Sequence, residues 1–277
     1  MFPIRDNNPI STKPYLTIGL IAVNATIFLF QIARPADQTS AFTWKFGFVP
    51  AELVESEPDF AEGLRENPPV RHLTDSRGRP LVNRFTGQPA VELDRRAVNA
   101  ISDVPAPINL FTSMFLHGGW MHLIGNMLFL WIFGNNIEDR LGHVLFIIFY
   151  LAGGVCGNLL HAFFSPGYIP LVGASGAVSA VMGGYLLLFP HARIFAIVPI
   201  GWYPATFSLP AWIYMGFYIV LQNFVPAFSG SESNVAYWAH IGGFVSGMAM
   251  MVVLPKRKAA APPPVYDPRH DDADFVL

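Results

Sequence analysis

Gly173-Ala174-Ser175-Gly176-Ala177 opens an uncharged apolar run, Val178 to Phe189, and the reading of the whole chain turns on this stretch. Just before it stands Ser165-Pro166-Gly167-Tyr168-Ile169-Pro170, which no regular helix accepts. A loop therefore turns sharply into a helix and leaves a hydroxyl at the N-terminus, beside N–H groups without intrahelical partners. Such a place suits a nucleophile and a developing oxyanion. It equally suits a plain helix start among small residues, and the five residues alone do not choose between the two.

Working outward, composition settles the class. Hydrophobic residues make up 52% of the chain and charged ones only 13%, with a mean hydropathy of +0.40. The apolar residues fall in runs of about 20, the length that crosses a bilayer. The expectation is an all-α polytopic membrane protein. A net charge of −2 says little about partners, and nothing points to nucleic acid. Cys156 is the single cysteine, so no intramolecular disulfide forms; inside an apolar run it reads as a buried packing thiol.

In chain order, residues 1–14 form a polar N-terminal segment, and Tyr15 to Ile32 is the first span. A signal peptide is the rival reading, but the run is long and no small-x-small cleavage site follows. Residues 33–109 hold most of the charge and many prolines, and read as a long external loop or small subdomain. Ile108 to Leu116 is an interfacial piece leading into a second span, Trp120 to Ile137, closed by Glu138-Asp139-Arg140. The third span is Val144 to Phe164, with Gly153, Gly154 and Gly157 for close helix contact. The fourth is Ser175 to Phe189. A proline-interrupted linker, Ile194 to Phe207, precedes the fifth, Ser208 to Phe228. The sixth is Val235 to Leu254, stopped by Pro255-Lys256-Arg257-Lys258, and residues 255–277 form a proline-rich, then acidic tail that reads as disordered. With six spans, Arg5, Lys13, Arg140, Arg193 and the Lys256 cluster share one side, which makes both termini cytoplasmic. Small residues recur every four positions as Gly176, Ala180, Gly184 and as Ala239, Gly243, Gly247, so spans four and six are expected to pack closely.

Polar residues at membrane depth narrow the function. From Leu141 to Pro255 the only charged residues are Arg193 and Glu232, both in loops. An aspartyl intramembrane protease lacks its carboxylates here, a zincin its His-Glu-x-x-His, and a proton-coupled transporter its buried acids. His117, His122 and His240 have no carboxylate or thiolate to complete a metal site. What remains is His122, Asn126, Ser175 and His240. His122 and Asn126 share a helix face. Ser175 to His191, His240 to Lys256 and His122 to Glu138 are equal counts, about 24 Å at 1.5 Å per residue. Three spans thus carry polar groups at one level, several ångströms below the outer surface of a core about 30 Å thick. A serine and an imidazole within reach make a nucleophile and general base; Asn126, His122 and the Ser175 N–H would face the oxyanion. With no acid available this is a dyad. Gln222 and Asn223 read as helix contacts.

Gly173-Ala174-Ser175-Gly176, His122-Leu-Ile-Gly-Asn126, Glu138-Asp139-Arg140-Leu141-Gly142 and Ala239-His240-Ile241-Gly242-Gly243 with Gly247, in this order, resemble the rhomboid family of intramembrane serine proteases. The likeness covers about residues 110–254. It implies a six-transmembrane-helix rhomboid-like bundle with Ser175 as nucleophile, His240 as base, and Asn126 and His122 around the oxyanion. It also implies cleavage of single-span membrane proteins near their outer ends, lateral access near the fifth helix, and no cofactor. Two features depart from the family. An aromatic that stacks on the base in some members stands four residues after the nucleophile, where this chain has Ser179, so another group must hold His240. Residues 33–109 also exceed what the family core needs. The competing expectation is an inactive rhomboid-like protein that binds membrane clients without cutting them.

Overall fold

The computed structural model describes residues 2–72, 91–94, 97, 101, 104–200, 203–229 and 235–258. Helices dominate. The first, α1 (Tyr15–Ile32), has no capping side chain of its own. Its N-terminus is capped across the fold by Glu138, whose carboxylate accepts the Leu16 and Thr17 N–H groups at 2.9 and 2.7 Å and the Thr17 hydroxyl at 2.7 Å. A carboxylate there satisfies orphan donors and the positive helix end together. Asp139 in turn accepts from Ser11 and Thr12, while the Arg140 carbonyl accepts the Arg257 N–H at 2.7 Å. The Glu138-Asp139-Arg140 run therefore fastens residues 11–17 and Arg257 to itself.

Outside the first helix, α2 (Ala36–Phe46), α3 (Pro50–Val54) and α4 (Glu57–Glu66) follow in quick succession. Strands β2 (Val70–His72) and β3 (Val91–Leu93) form an antiparallel pair. The stretch expected as one long loop thus carries its own helices. It is pinned by Phe48 and Leu171, which exchange backbone hydrogen bonds at 3.1 and 2.7 Å, and by Tyr168 donating to Glu55 at 2.8 Å. After the short α5 (Ala106–Thr112), an unbroken helical run over residues 120–141 comprises α6 (Trp120–Phe129), a π-helical turn (Leu130–Gly134) and α7 (Asn135–Leu141). Then come α8 (His143–Phe164) and α9 (Ser175–Leu188).

The linker expected before the fifth span is instead a pair of antiparallel strands, β4 (Arg193–Ile200) and β5 (Tyr203–Pro210). Its prolines are tolerated because Pro199 pairs with Pro204 near the far end of the ladder and Pro210 lies at its last rung. Ile194 and Ala196 alternate inward and are fully buried. The polar N-terminal segment adds a third strand, β1 (Phe2–Asp6), along β4, with the Arg5 guanidinium 4.6 Å from the Phe195 ring centroid. The fold is thus helical with two small sheets, a correction to the all-α expectation. The β4–β5 pair is a local hairpin whose proline-interrupted sequence read as a linker, whereas β1 joins it from about 190 residues away, a pairing that local pattern does not carry.

The fifth helical run is α10 (Ala211–Gly216), a π-helical stretch (Phe217–Phe224) and α11 (Val225–Ser229); the last helix is α12 (Tyr237–Val253). Among the described residues, three helices are long and apolar enough to cross a membrane: α1, α8 and residues 211–229; α9 and α12 are shorter apolar helices. The central helix is α9, buried from Gly176 to Tyr185 and packed on α12 and α8. The two ladders of small residues meet face to face. A Cβ on Gly243 would run into the Gly176 carbonyl, one on Gly247 into the Ala180 carbonyl, and one on Gly183 into the Phe244 carbonyl. Gly153 and Gly157 of α8 close the other side against Ala180 and Ala239. With that glycine face turned inward, Cys156 lies exposed on the outside of α8, which corrects its reading as a buried thiol. The tail beyond residue 258 and residues 230–234, with the loop residue Glu232, lie outside the described residues.

Candidate active site

Ser175 is the first residue of α9, so its N–H emerges from the helix end without an intrahelical partner. The turn into it depends on Gly173, whose φ of +124° lies where side chains are strained. The same glycine allows a close approach: a Cβ there would stand 2.6 Å from His122 Nε2 and 3.7 Å from Asn126 Nδ2. The Gly173 N–H donates to the Ser113 carbonyl at 2.9 Å, which fixes the loop.

His240, one turn into α12, reaches across the glycine seam, and the Ser175 hydroxyl lies 2.8 Å from its Nε2. Asn126 is buried on α6, and its Nδ2 has no hydrogen-bond partner among the described residues. A buried amide donor left open costs about 1–3 kcal/mol, so it marks a place where an acceptor is expected to bind. His122 lies beside it, its ring 5.2 Å from that of His117. All four residues singled out in the sequence thus converge around Gly173 and Ser175.

Two further residues reach the site that sequence reasoning had not assigned to it. Asn223 Oδ1 lies 2.6 Å from His240 Nδ1, and its Nδ2 donates to the Tyr218 carbonyl at 2.8 Å. The Tyr218 ring is stacked on His240, with centroids 6.4 Å apart and planes 29° apart, and its hydroxyl pairs with Ser179 at 2.7 Å. Ser179 therefore does face the base region, but as the anchor for an aromatic supplied by the fifth helix. A depth count would have flagged Asn223. It sits six residues before the end of its helix, about 9 Å from that end.

A cleft of about 1060 Å³ is walled by Trp44 of α2, Pro50 of α3, Tyr168, His161 and Ala236. Described residues of the segment between α1 and α5 thus meet the turn that begins α12 across this cleft.

Membrane-length apolar helices closed around a partly buried serine–histidine pair define a helical membrane protein with a hydroxyl–imidazole site. The chain belongs to the rhomboid family: the Rhomboid domain matches residues 106–257. It is 32% identical over 151 residues to Rhomboid protein 1, mitochondrial, of Saccharomyces cerevisiae, covering 52% of this chain and 41% of that protein. Similarity to Rhomboid protease GluP of Bacillus subtilis is 32% over 152 residues, or 55% of this chain and 27% of the relative. For mouse Rhomboid-related protein 2 it is 33% over 145 residues, 50% and 44%. The matches thus span less than half the length of these relatives.

Proposed function

We propose that this chain is an intramembrane serine endopeptidase that cuts transmembrane segments of membrane proteins near the outer face of the cell membrane. The observation that carries the reading is the 2.8 Å contact between Ser175 Oγ and His240 Nε2, next to the partnerless Nδ2 of Asn126. Neutral imidazole accepts the Ser175 proton at Nε2 as Oγ attacks the peptide carbonyl. The oxyanion is met by the Asn126 amide, the Ser175 N–H and His122, in a setting where fixed donors act more strongly than in water. The tetrahedral intermediate collapses, the C–N bond breaks, and the imidazolium returns the proton to the leaving amine. Water, deprotonated by the same nitrogen, then releases the acyl group from Ser175. In this reading six spans cross the bilayer with both termini cytoplasmic and the cleft outside, an arrangement supported by the one-sided placement of Arg140, Arg193 and Lys256.

The test is cleavage of a model single-span substrate in proteoliposomes, with fluorophosphonate labelling alongside. Ser175→Ala and His240→Ala are each expected to lower turnover by about 10³-fold or more, and Ser175→Ala to abolish labelling. Unchanged cleavage by Ser175→Ala would sink the proposal.

A further inference from the structure

Among the described residues no acid lies beside His240, and Ser179 stands four residues after Ser175 where an aromatic could have stacked on the ring, yet His240 is held at both nitrogens. For Ser175 to lose its proton, Nε2 must be the bare nitrogen, and a neutral imidazole then carries its one proton on Nδ1. Nδ1 faces Asn223 at 2.6 Å. An amide can present either oxygen or nitrogen, and only the oxygen gives the productive tautomer. The orientation is fixed by a group that cannot change roles: Asn223 Nδ2 faces the Tyr218 backbone carbonyl at 2.8 Å, and a carbonyl only accepts. Polarity therefore runs one way. Asn223 donates to Tyr218, His240 donates to Asn223, and Ser175 donates to His240. Asn223 is buried to 1% exposure, so water does not compete.

The local helix type is what allows this. Tyr218 and Asn223 are five positions apart, about 140° around an α-helix, and would face different neighbours. In the wider π-helical turn over Phe217–Phe224 both address His240. The Ser179 hydroxyl, fully buried on the nucleophile's own helix, completes the clamp through the Tyr218 hydroxyl.

We infer that Asn223 is the positioning residue of this site, selecting the Nδ1–H tautomer of His240 and orienting its ring, with Tyr218 and Ser179 as a lateral clamp. The inference rests on the reading of Ser175 and His240 as nucleophile and base. A serine–histidine–asparagine relay differs from one ending in aspartate: a neutral amide sets tautomer and direction without placing a full charge beside the imidazole.

The experiment uses the full-length protein labelled with [15N]histidine, the His240 signals being assigned by their loss in His240→Gln. The unsubstituted protein is expected to show His240 protonated at Nδ1. Asn223→Leu, of similar size but without an acceptor, should give a tautomer mixture and lower kcat by about 10- to 100-fold, with KM changed less than about threefold. Asn223→Asp, which restores an acceptor oxygen, should recover turnover to within about tenfold of the parent. Protonation of His240 at Nε2 in the parent would overturn the inference, as would an unchanged tautomer and kcat in a folded Asn223→Leu. If the parent cleaves nothing, the protease reading fails, and the tautomer measurement still decides the role of Asn223.

Discussion

Helix α9, which carries Ser175, and the fifth helix meet the same histidine but are held in opposite ways. Helix α9 is enclosed: its small residues touch backbone carbonyls of α12 and methyl groups of its neighbours, leaving no room for a Cβ at Gly183, and none on the facing helix at Gly243 or Gly247. In the fifth helix only 22% of the apolar window is buried, against 39% in α8, and nothing lies within 4 Å of a Cβ built on Gly216. Without a hydrophobic drive between helices in lipid, close packing is what binds them. The pair that would do chemistry therefore sits on a tight seam, and the groups that aim it sit on a lightly packed one. Movement of the fifth helix would disturb the aim of His240 before it disturbed the distance from α9 to α12.

Substitutions can break or sharpen this contrast. Gly243→Val drives a branched side chain into the Gly176 carbonyl, and is expected to destabilise by about 3 kcal/mol or more, with loss of proteolysis. Thermal unfolding in detergent would show it; an unshifted melting point would mean the seam is not tight. Tyr218→Phe keeps the ring on His240 but strands the buried Ser179 hydroxyl, for an expected loss of about 1–3 kcal/mol and turnover within about fivefold. Gly216→Ala, in the open helix, should leave activity unchanged and stability equal or higher by up to about 1 kcal/mol. A marked loss there would show that the fifth helix is packed as closely as the fourth.

The smallest effect is expected at the C-terminal end of α9. Asp6 accepts from Tyr185 at 2.6 Å and from Asn136 at 2.9 Å, and burial pushes its carboxyl above the ordinary 3.8. A carboxyl raised in the folded state binds its proton more tightly there, so its contribution is full below the unfolded value and is lost as pH rises through the folded one. Asp6→Asn should thus melt at the same temperature as the parent or slightly higher at pH 7, with the gap closing toward pH 4. A lower melting point at pH 7 would show that the buried charge itself stabilises β1.

Much of this was legible before any coordinates. Equal counts from Ser175, His240 and His122 to their inner boundaries placed polar groups at one depth, and the period-four ladders pointed to the seam that brings two of them together. Both signals arise from helix geometry, which is regular enough to count. The strands were not legible because Pro199 and Pro204 interrupt the β4–β5 hairpin, and β1 pairs with β4 from about 190 residues away with no pattern of its own. Asn223 was missed for a related reason. Its facing depends on a π-helical turn, and counting at 3.6 residues per turn separates it from Tyr218. Glu138 was seen only as the end of a span; its work as the cap of α1 is a contact across the fold.

His240, the proposed base, arrives on α12, 65 residues after Ser175. At about 5–20 residues per second, ribosomes make Ser175 roughly 3–13 s before they make His240. Until the last helix has entered the bilayer and closed on α9, Ser175 has no base, and Asn223 has nothing to aim. On the proposed reading, a nascent chain is therefore inert toward membrane proteins being inserted beside it, and proteolytic competence would switch on only with completion of the bundle.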